Sequence, residues 1–151
     1  MSAIVLLDTS VYVNLLNVPG LSQHRAEVLN EFERAVRADD RFLLPLASVW
    51  EAGKHIAQLS DGRLRRTWAE KLTADVKAAL VGNAPYSATH FPKREEFEDW
   101  LTLFPDSAAQ RKSLADHSLI QEWKRNCDIN PLRRVRIWSL DSDLAGYDRR
   151  P

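Results

Sequence analysis

Apolar residues recur along this chain in two rhythms. "AIVLL" (Ala3 to Leu7) is unbroken, short and rich in Ile, Val and Leu, which predicts a strand buried on both faces. "RFLLPLAS" repeats that signature, with Pro45 near its exit, where a missing N–H costs little, and "RRVRIWSL" supplies a third strand. Between these runs the spacing lengthens to three and four. "SVYVNLLN" predicts a short helix stopped at "NVPG", and Ala26, Leu29, Phe32 and Val36 predict an amphipathic helix from Ser22 to about "ADD". "SVWEAGKHIAQL" is helical up to "DG" at 61 and 62, and Trp68, Leu72, Val76 and Leu80 share one face of a further helix. "VGNAPYSATHFP" reads as a loop and "KREEFEDWLTLF" as a short helix closed by Pro105. "SLADHSLIQEWKRNC" is another helix, with Ala115, Leu119 and Trp123 on one stripe until "NPL" breaks it.

Strands separated by helical segments, with no Asn-Gly hairpin signal between them, predict a short parallel sheet covered by helices. Ligands in such sheets sit beyond the carboxyl ends of the strands, so the residues after Leu7, Leu46 and Leu140 come into view. Acids stand there. Asp8 follows the first strand; Asp141 follows the third, with Asp143 two residues on. Glu51 is expected in the first turn of the helix after the second strand, and Asp116 in the first turn of the helix opened by Ser113.

Each acid taken alone has an ordinary explanation. "SVWE" and "SLAD" resemble capping boxes, Asp8 suits an Asx-turn or a cap, and Asp141 and Asp143 suit a turn. The set is harder to dismiss, because carboxylates gathered at one sheet edge repel one another unless a cation lies between them. Carboxylates without a His/Cys cluster are hard oxygen ligands that favour Mg²⁺ or Mn²⁺, and such ions suit hydrolysis of a phosphodiester.

Composition narrows the frame. A chain of 151 residues predicts one domain, residues 1–151, and the 44% hydrophobic and 28% charged residues are those of an ordinary globular protein. Lys+Arg and Asp+Glu both number 21, so net charge supplies no basic footprint for nucleic acid. The basic residues concentrate locally, and Arg63, Arg65 and Arg66 are either a solvated surface or phosphate-backbone contacts. One cysteine, Cys127, excludes an internal disulfide framework, and "MSAIVLLD" carries neither a signal peptide nor a membrane span, so a cytoplasmic location is expected. His55 and His117 are expected to be structural or solvent-facing, and the five tryptophans to serve packing rather than base stacking.

"IVLLDTSVYVNLL", "LPLASVWEAGK", "SLADHSLIQEW" and "RIWSLDSDL", in that order along nearly the whole chain, resemble the four acidic motifs of PIN-domain nucleases, most nearly the VapC-type toxins of toxin–antitoxin pairs. The resemblance implies a three-layer α/β/α sandwich and a metal-dependent endoribonuclease. It assigns the Mg²⁺ or Mn²⁺ site to Asp8, Glu51, Asp116 and Asp141, with Asp143 as an auxiliary acid, and places Ser139 where a hydroxyl orders the site. Thr9 and Ser10 are expected to supply hydroxyls that hold the turn after Asp8. Implied partners are an RNA substrate, a small cognate antitoxin and a second copy in a homodimer, with no membrane.

Two departures stand out. The family commonly adds an edge strand after its last acid, whereas this chain ends in "GYDRRP", and residues 62–110 read as a helical insertion. Other enzyme classes fit poorly: "DTSVYV" lacks the glycines of a dinucleotide site, position 10 is Ser where a D-x-D phosphoacceptor needs Asp, and the first strand has no paired acids of a receiver. The remaining alternative is a PIN-like module that binds RNA or protein without cutting.

Overall fold

The computed structural model describes residues 2–151. The central strand is β1 (Ile4–Leu7), and it pairs in parallel with β2 (Arg41–Leu44) on one side and β4 (Val135–Trp138) on the other. The short β3 (Tyr86–Ala88) lies parallel beyond β2, and β5 (Asp148–Arg149) closes the far edge antiparallel to β4, giving the order β3-β2-β1-β4-β5. The fold is α/β with a mixed, mostly parallel sheet. Two expectations change. "PYSA" is a strand rather than loop, because Tyr86 is buried and the segment completes the ladder of β2. The sheet is not wholly parallel, because "YDRR" does return as an edge strand, held by Arg134, whose guanidinium donates to both oxygens of Asp148 at 2.8 and 2.5 Å.

Side chains alternate across β1, so one strand feeds two cores. Val5 and Leu7 join the larger core with α1 (Thr9–Leu16), α2 (Arg25–Arg37), α3 (Leu46–Ala57) and α4 (Gly62–Leu80). Ile4 and Leu6, with Val135 and Ile137, face Leu119 and Ile120 of α6 (Leu114–Ile129). Helices therefore cover both faces of the sheet. α5 (Arg94–Ala109) packs outside α6 and has no fully buried residue. The segment 62–110 is partly core: Trp68, Ala79 and Tyr86 all sit in the larger cluster.

Three helical details differ from the pattern reading. The inward stripe of α2 is Val28, Phe32 and Ala35, while Leu29 and Val36 face out, so the sheet selects a face rotated from the expected one. α5 runs through Pro105 instead of ending there. Beyond that proline the Ser107 hydroxyl meets Nδ1 of the buried His117 at 2.7 Å, and its Nε2 meets the Trp100 carbonyl at 2.7 Å, tying both halves of α5 to α6. Finally, α3 starts at Leu46 with Pro45 as its cap. Ser48 is thus inside the helix, and its hydroxyl donates to the Leu7 carbonyl at 2.6 Å.

Candidate functional site

Strand order reverses about β1: β2 and β3 extend to one side, β4 and β5 to the other. Crevices beyond the carboxyl ends of parallel strands open at such a reversal, here between β1 and β4. Asp8 is the first residue past β1, and Ser139 the first past β4. The Asp8 N–H still donates to the Trp138 carbonyl at 3.0 Å, continuing the ladder, so its side chain is delivered by sheet geometry.

Asp8 occupies the cap position of α1 yet makes no side-chain cap bond. Its Oδ2 instead accepts from the hydroxyls of Ser10 at 2.9 Å and Ser139 at 2.7 Å. Both hydroxyls are themselves placed by the loop after β4: the Leu140 N–H donates to Ser10 Oγ at 3.0 Å and the Asp141 N–H to Ser139 Oγ at 2.9 Å. Ser10 and Ser139 thus clamp the turns after β1 and β4 around one carboxylate oxygen. Thr9 lines the adjoining hollow with Asp141, His55 and His24, but the clamp is made by the two serines.

Asp116 reaches the same place from α6. Its N–H donates to Ser113 Oγ at 3.0 Å, so the helix cap expected from "SLAD" is formed. That ordinary role does not satisfy the carboxyl, which is held above the usual carboxylate range by burial first, then by the negative charge of Asp8 and more weakly by that of Asp141, with the Ser113 hydrogen bonds opposing. Three acids from three separate elements therefore share one electrostatic neighbourhood. No lysine, arginine or histidine figures among the influences on Asp116. Asp141 caps the one-turn helix Ser142–Leu144, accepting the Asp143 N–H on Oδ1 at 2.9 Å; both acids are exposed.

Glu51 stands apart. Because α3 begins at Leu46, it falls in the second turn, and the "SVWE" capping box is not formed. Its carboxylate lies 3.9 Å from the Lys54 ammonium, and it walls a hollow of about 230 Å³ shared with Ala115 and Ser118 of α6. The repulsion felt by Asp116 comes from Asp8 and Asp141, not from Glu51. Among the described residues, no group of three or more His, Cys, Asp or Glu side chains lies close enough together to hold a metal ion.

Arg63, Arg65 and Arg66 stand exposed in the first turns of α4. The Arg65 guanidinium donates to the Leu59 and Ser60 carbonyls at 2.6 and 3.2 Å, and Arg66 pairs with Glu70 at 3.1 Å. None of the three lines the hollows beside Asp141 or Glu51.

Other features escaped the sequence reading. Glu122 is buried on α6, its Oε2 3.6 Å from Nδ1 of His90, and neither atom has a hydrogen-bond partner. Burial pushes its carboxyl up. The signal was visible, since Ala115, Leu119 and Glu122 continue one stripe at i, i+4 and i+7, placing an acid on an apolar face. Trp68 and Trp138 are buried as expected of packing residues, whereas Trp50 is 68% exposed beside Glu51.

No helix among the described residues is long and apolar enough to cross a membrane. Comparison of the chain with family models, curated proteins and solved structures finds no match.

Proposed function

We propose that this chain is a PIN-like ribonuclease of the VapC toxin type, hydrolysing RNA phosphodiester bonds with Mg²⁺ or Mn²⁺. The observation that supports the reading is the convergence of Asp8, Asp116 and Asp141 at the strand-order reversal, where Asp116 is raised by burial and then by the charges of the other two. Such an excess of negative charge suits a divalent ion.

The donor set fits that ion in kind. It is all oxygen, which favours Mg²⁺ or Mn²⁺ over zinc. The hydrogen bonds to Asp8 fall on Oδ2 and the one to Asp141 on Oδ1, so each carboxylate retains a second oxygen as a ligand. The residues that would hold the ion are Asp8, Asp116 and Asp141, with Glu51 and Asp143 at the periphery. When bound, the ion supplies Lewis acidity and a more acidic water for in-line attack at phosphorus. The chain's own contribution is orientation. Ser10 and Ser139 fix the Asp8 rotamer through two donors on one oxygen, and Ser48 ties the start of α3 to the last carbonyl of β1. Burial of Asp8 keeps bulk water off its inner side.

A free nuclease of this type is toxic in the cytosol, so the reading includes a small cognate protein that covers the acids, and a homodimer as the assembly. The exposed arginines at the start of α4, beside Ile56 and Ala57 of α3, offer that protein an anchor.

A second reading has its own observation. Three acid side chains are not close enough together to grip one ion, which favours an acid-bearing module that binds RNA or protein without cutting. Purified protein incubated with mixed RNA, with Mg²⁺ or Mn²⁺ and in parallel with chelator, separates the two. Metal-dependent cleavage lost in Asp8→Asn is expected; metal-independent binding without cleavage would replace the first reading by the second. Expression alone should arrest growth, and co-expression with the product of the adjacent open reading frame should relieve it.

A further inference from the structure

The hollow of about 230 Å³ between α3, α5 and α6 has no part in the reading so far. It is smaller than the roughly 300–1,000 Å³ of pockets that enclose a drug-sized ligand, so its size suits a single ring system rather than a helix face. Its walls are aromatic and apolar, with Trp50, Phe97 and Trp100 among them. Trp50 is 68% exposed and Phe97 42% exposed, leaving large flat surfaces in water beside an opening.

Its charge is one-sided. Glu51 and Glu122 line it, and no lysine or arginine does. A phosphate is therefore repelled from the interior, whereas an apolar ring carrying N–H donors is matched on both counts. Glu122 is the telling member: its side chain is only 5% exposed, and its Oε2, 3.6 Å from Nδ1 of His90, finds no hydrogen-bond partner within the protein. A buried acceptor of that kind favours an incoming donor. The hollow also adjoins the acids, because Glu51 forms its wall and Ala115, immediately before Asp116, lines it.

We infer that this hollow seats one unpaired nucleobase bearing an exocyclic amine, in the nucleotide next to the phosphate presented to Asp8, Asp116 and Asp141. Its placement rests on the ribonuclease reading; its chemistry rests on the hollow. The ring lies against Trp50 and Phe97, as bases stack on aromatic side chains in single-strand binders, and the amine donates to Glu122. Adenine, cytosine and guanine each carry such an amine and satisfy the carboxylate; uracil offers a carbonyl where the amine should be. Base pairing would consume the same amine, so the substrate is single-stranded at this nucleotide.

Tryptophan fluorescence of the full chain in chelator, titrated with short oligoadenylate, oligocytidylate and oligouridylate and with AMP, CMP and UMP, tests the site without catalysis. Saturable quenching by oligoadenylate or oligocytidylate is expected at lower concentration than by oligouridylate. Trp50→Ala, at an exposed position, should weaken it about tenfold, within the range of one base–aromatic stack. Glu122→Gln, which can donate as well as accept, should erase the preference over oligouridylate. A second readout maps cut sites under Mn²⁺: the base preference beside the cut should flatten in both variants. Cleavage with binding and base preference unchanged in both variants overturns the pocket and leaves the nuclease standing. Trp50-dependent oligonucleotide binding without any metal-dependent cleavage supports the pocket and overturns the nuclease. Mononucleotides binding as tightly as oligonucleotides overturn the placement on a strand. No quenching by any probe overturns the inference and leaves the hollow to a protein segment.

Discussion

Asp8 and Asp75 are held in the same way and placed in opposite company. Each accepts two hydroxyls on a single carboxylate oxygen: Asp8 from Ser10 and Ser139, Asp75 from Tyr12, at 2.6 Å, and Tyr86. Around Asp75 the negative charge is answered by the two phenols. Burial and then the Asp75 carboxylate hold both phenols firmly protonated, which keeps them donors. The arrangement is closed and joins α1, α4 and β3 across the larger core. Around Asp8 the same pair of donors is followed by two more carboxylates, and Asp116 registers both charges. Local ligation alone therefore does not distinguish a structural acid from a functional one; the balance of the next neighbours does.

The largest expected effect separates the two sites by what is lost. Asp8→Asn keeps the shape of the side chain and removes one charge from the crowded edge. Metal-dependent cleavage should fall about 10²- to 10³-fold, the scale seen when one group stabilising transition-state charge is removed. The metal-free fold should be as stable as before or more so. Cleavage rates and urea midpoints on one preparation measure both, and an Asp8→Asn protein that cuts at full rate would end the metal role of this edge.

Asp75→Ala should do the reverse. It leaves two phenols of the core without an acceptor, at about 1–3 kcal/mol each, so the urea midpoint should drop sharply. Protein that remains folded should cleave normally per molecule. An unchanged midpoint would show that the phenols find other partners, and the contrast with Asp8 would dissolve.

A smaller effect follows from Asp116. Its carboxyl is raised by burial and by Asp8 and then Asp141, so the native state keeps a proton that the unfolded chain has released. The metal-free fold therefore loses stability as pH rises from the ordinary carboxylate value through the raised one. A divalent ion needs the anion, so its stabilisation should grow over the same rise. Melting temperatures with and without Mn²⁺, across a pH series, should diverge upward. A gap independent of pH would mean that the ion does not compete with that proton.

How much of this was legible follows from what each signal depends on. β1 was readable because continuous burial writes itself as unbroken Ile, Val and Leu, and β2 and β4 because three of the four positions in each are buried and apolar. β3 was not, since three residues at an edge need only one buried anchor, Tyr86, and "YSA" carries no period. β5 was not either, because it is held by Arg134 and Asp148, a pairing invisible until the strands meet. Asp8 was readable as a strand exit and Asp116 from the Ser113 cap before it, whereas Asp141, expected directly after its strand, stands three residues past the end of β4. The electrostatic link among them was not, because it depends on α6 crossing the sheet face. Ser48 was misread as a cap for want of one fact: Pro45 itself opens α3.

The smallest predicted effect concerns Glu51, and it tests whether the candidate site is three acids or four. Glu51 lies one turn deeper in α3 than its spacing suggested, 3.9 Å from Lys54, with its side chain 34% exposed. Its charge is thus partly answered by a neighbour and partly by water, unlike that of Asp116. It still walls the hollow next to Ala115, so it can orient ligands or bound water without gripping an ion directly. Removing such an outlying partner lowers metal affinity or activity by about 10- to 100-fold at most. Glu51→Gln should fall at the lower end, near tenfold, and should leave the pH dependence of Mn²⁺ stabilisation in place, because that dependence belongs to Asp116. Cleavage assays and the pH series on this variant decide it. A loss equal to that of Asp8→Asn, together with a flattened pH series, would move Glu51 into the inner set and require α3 to close towards α6 when the ion binds.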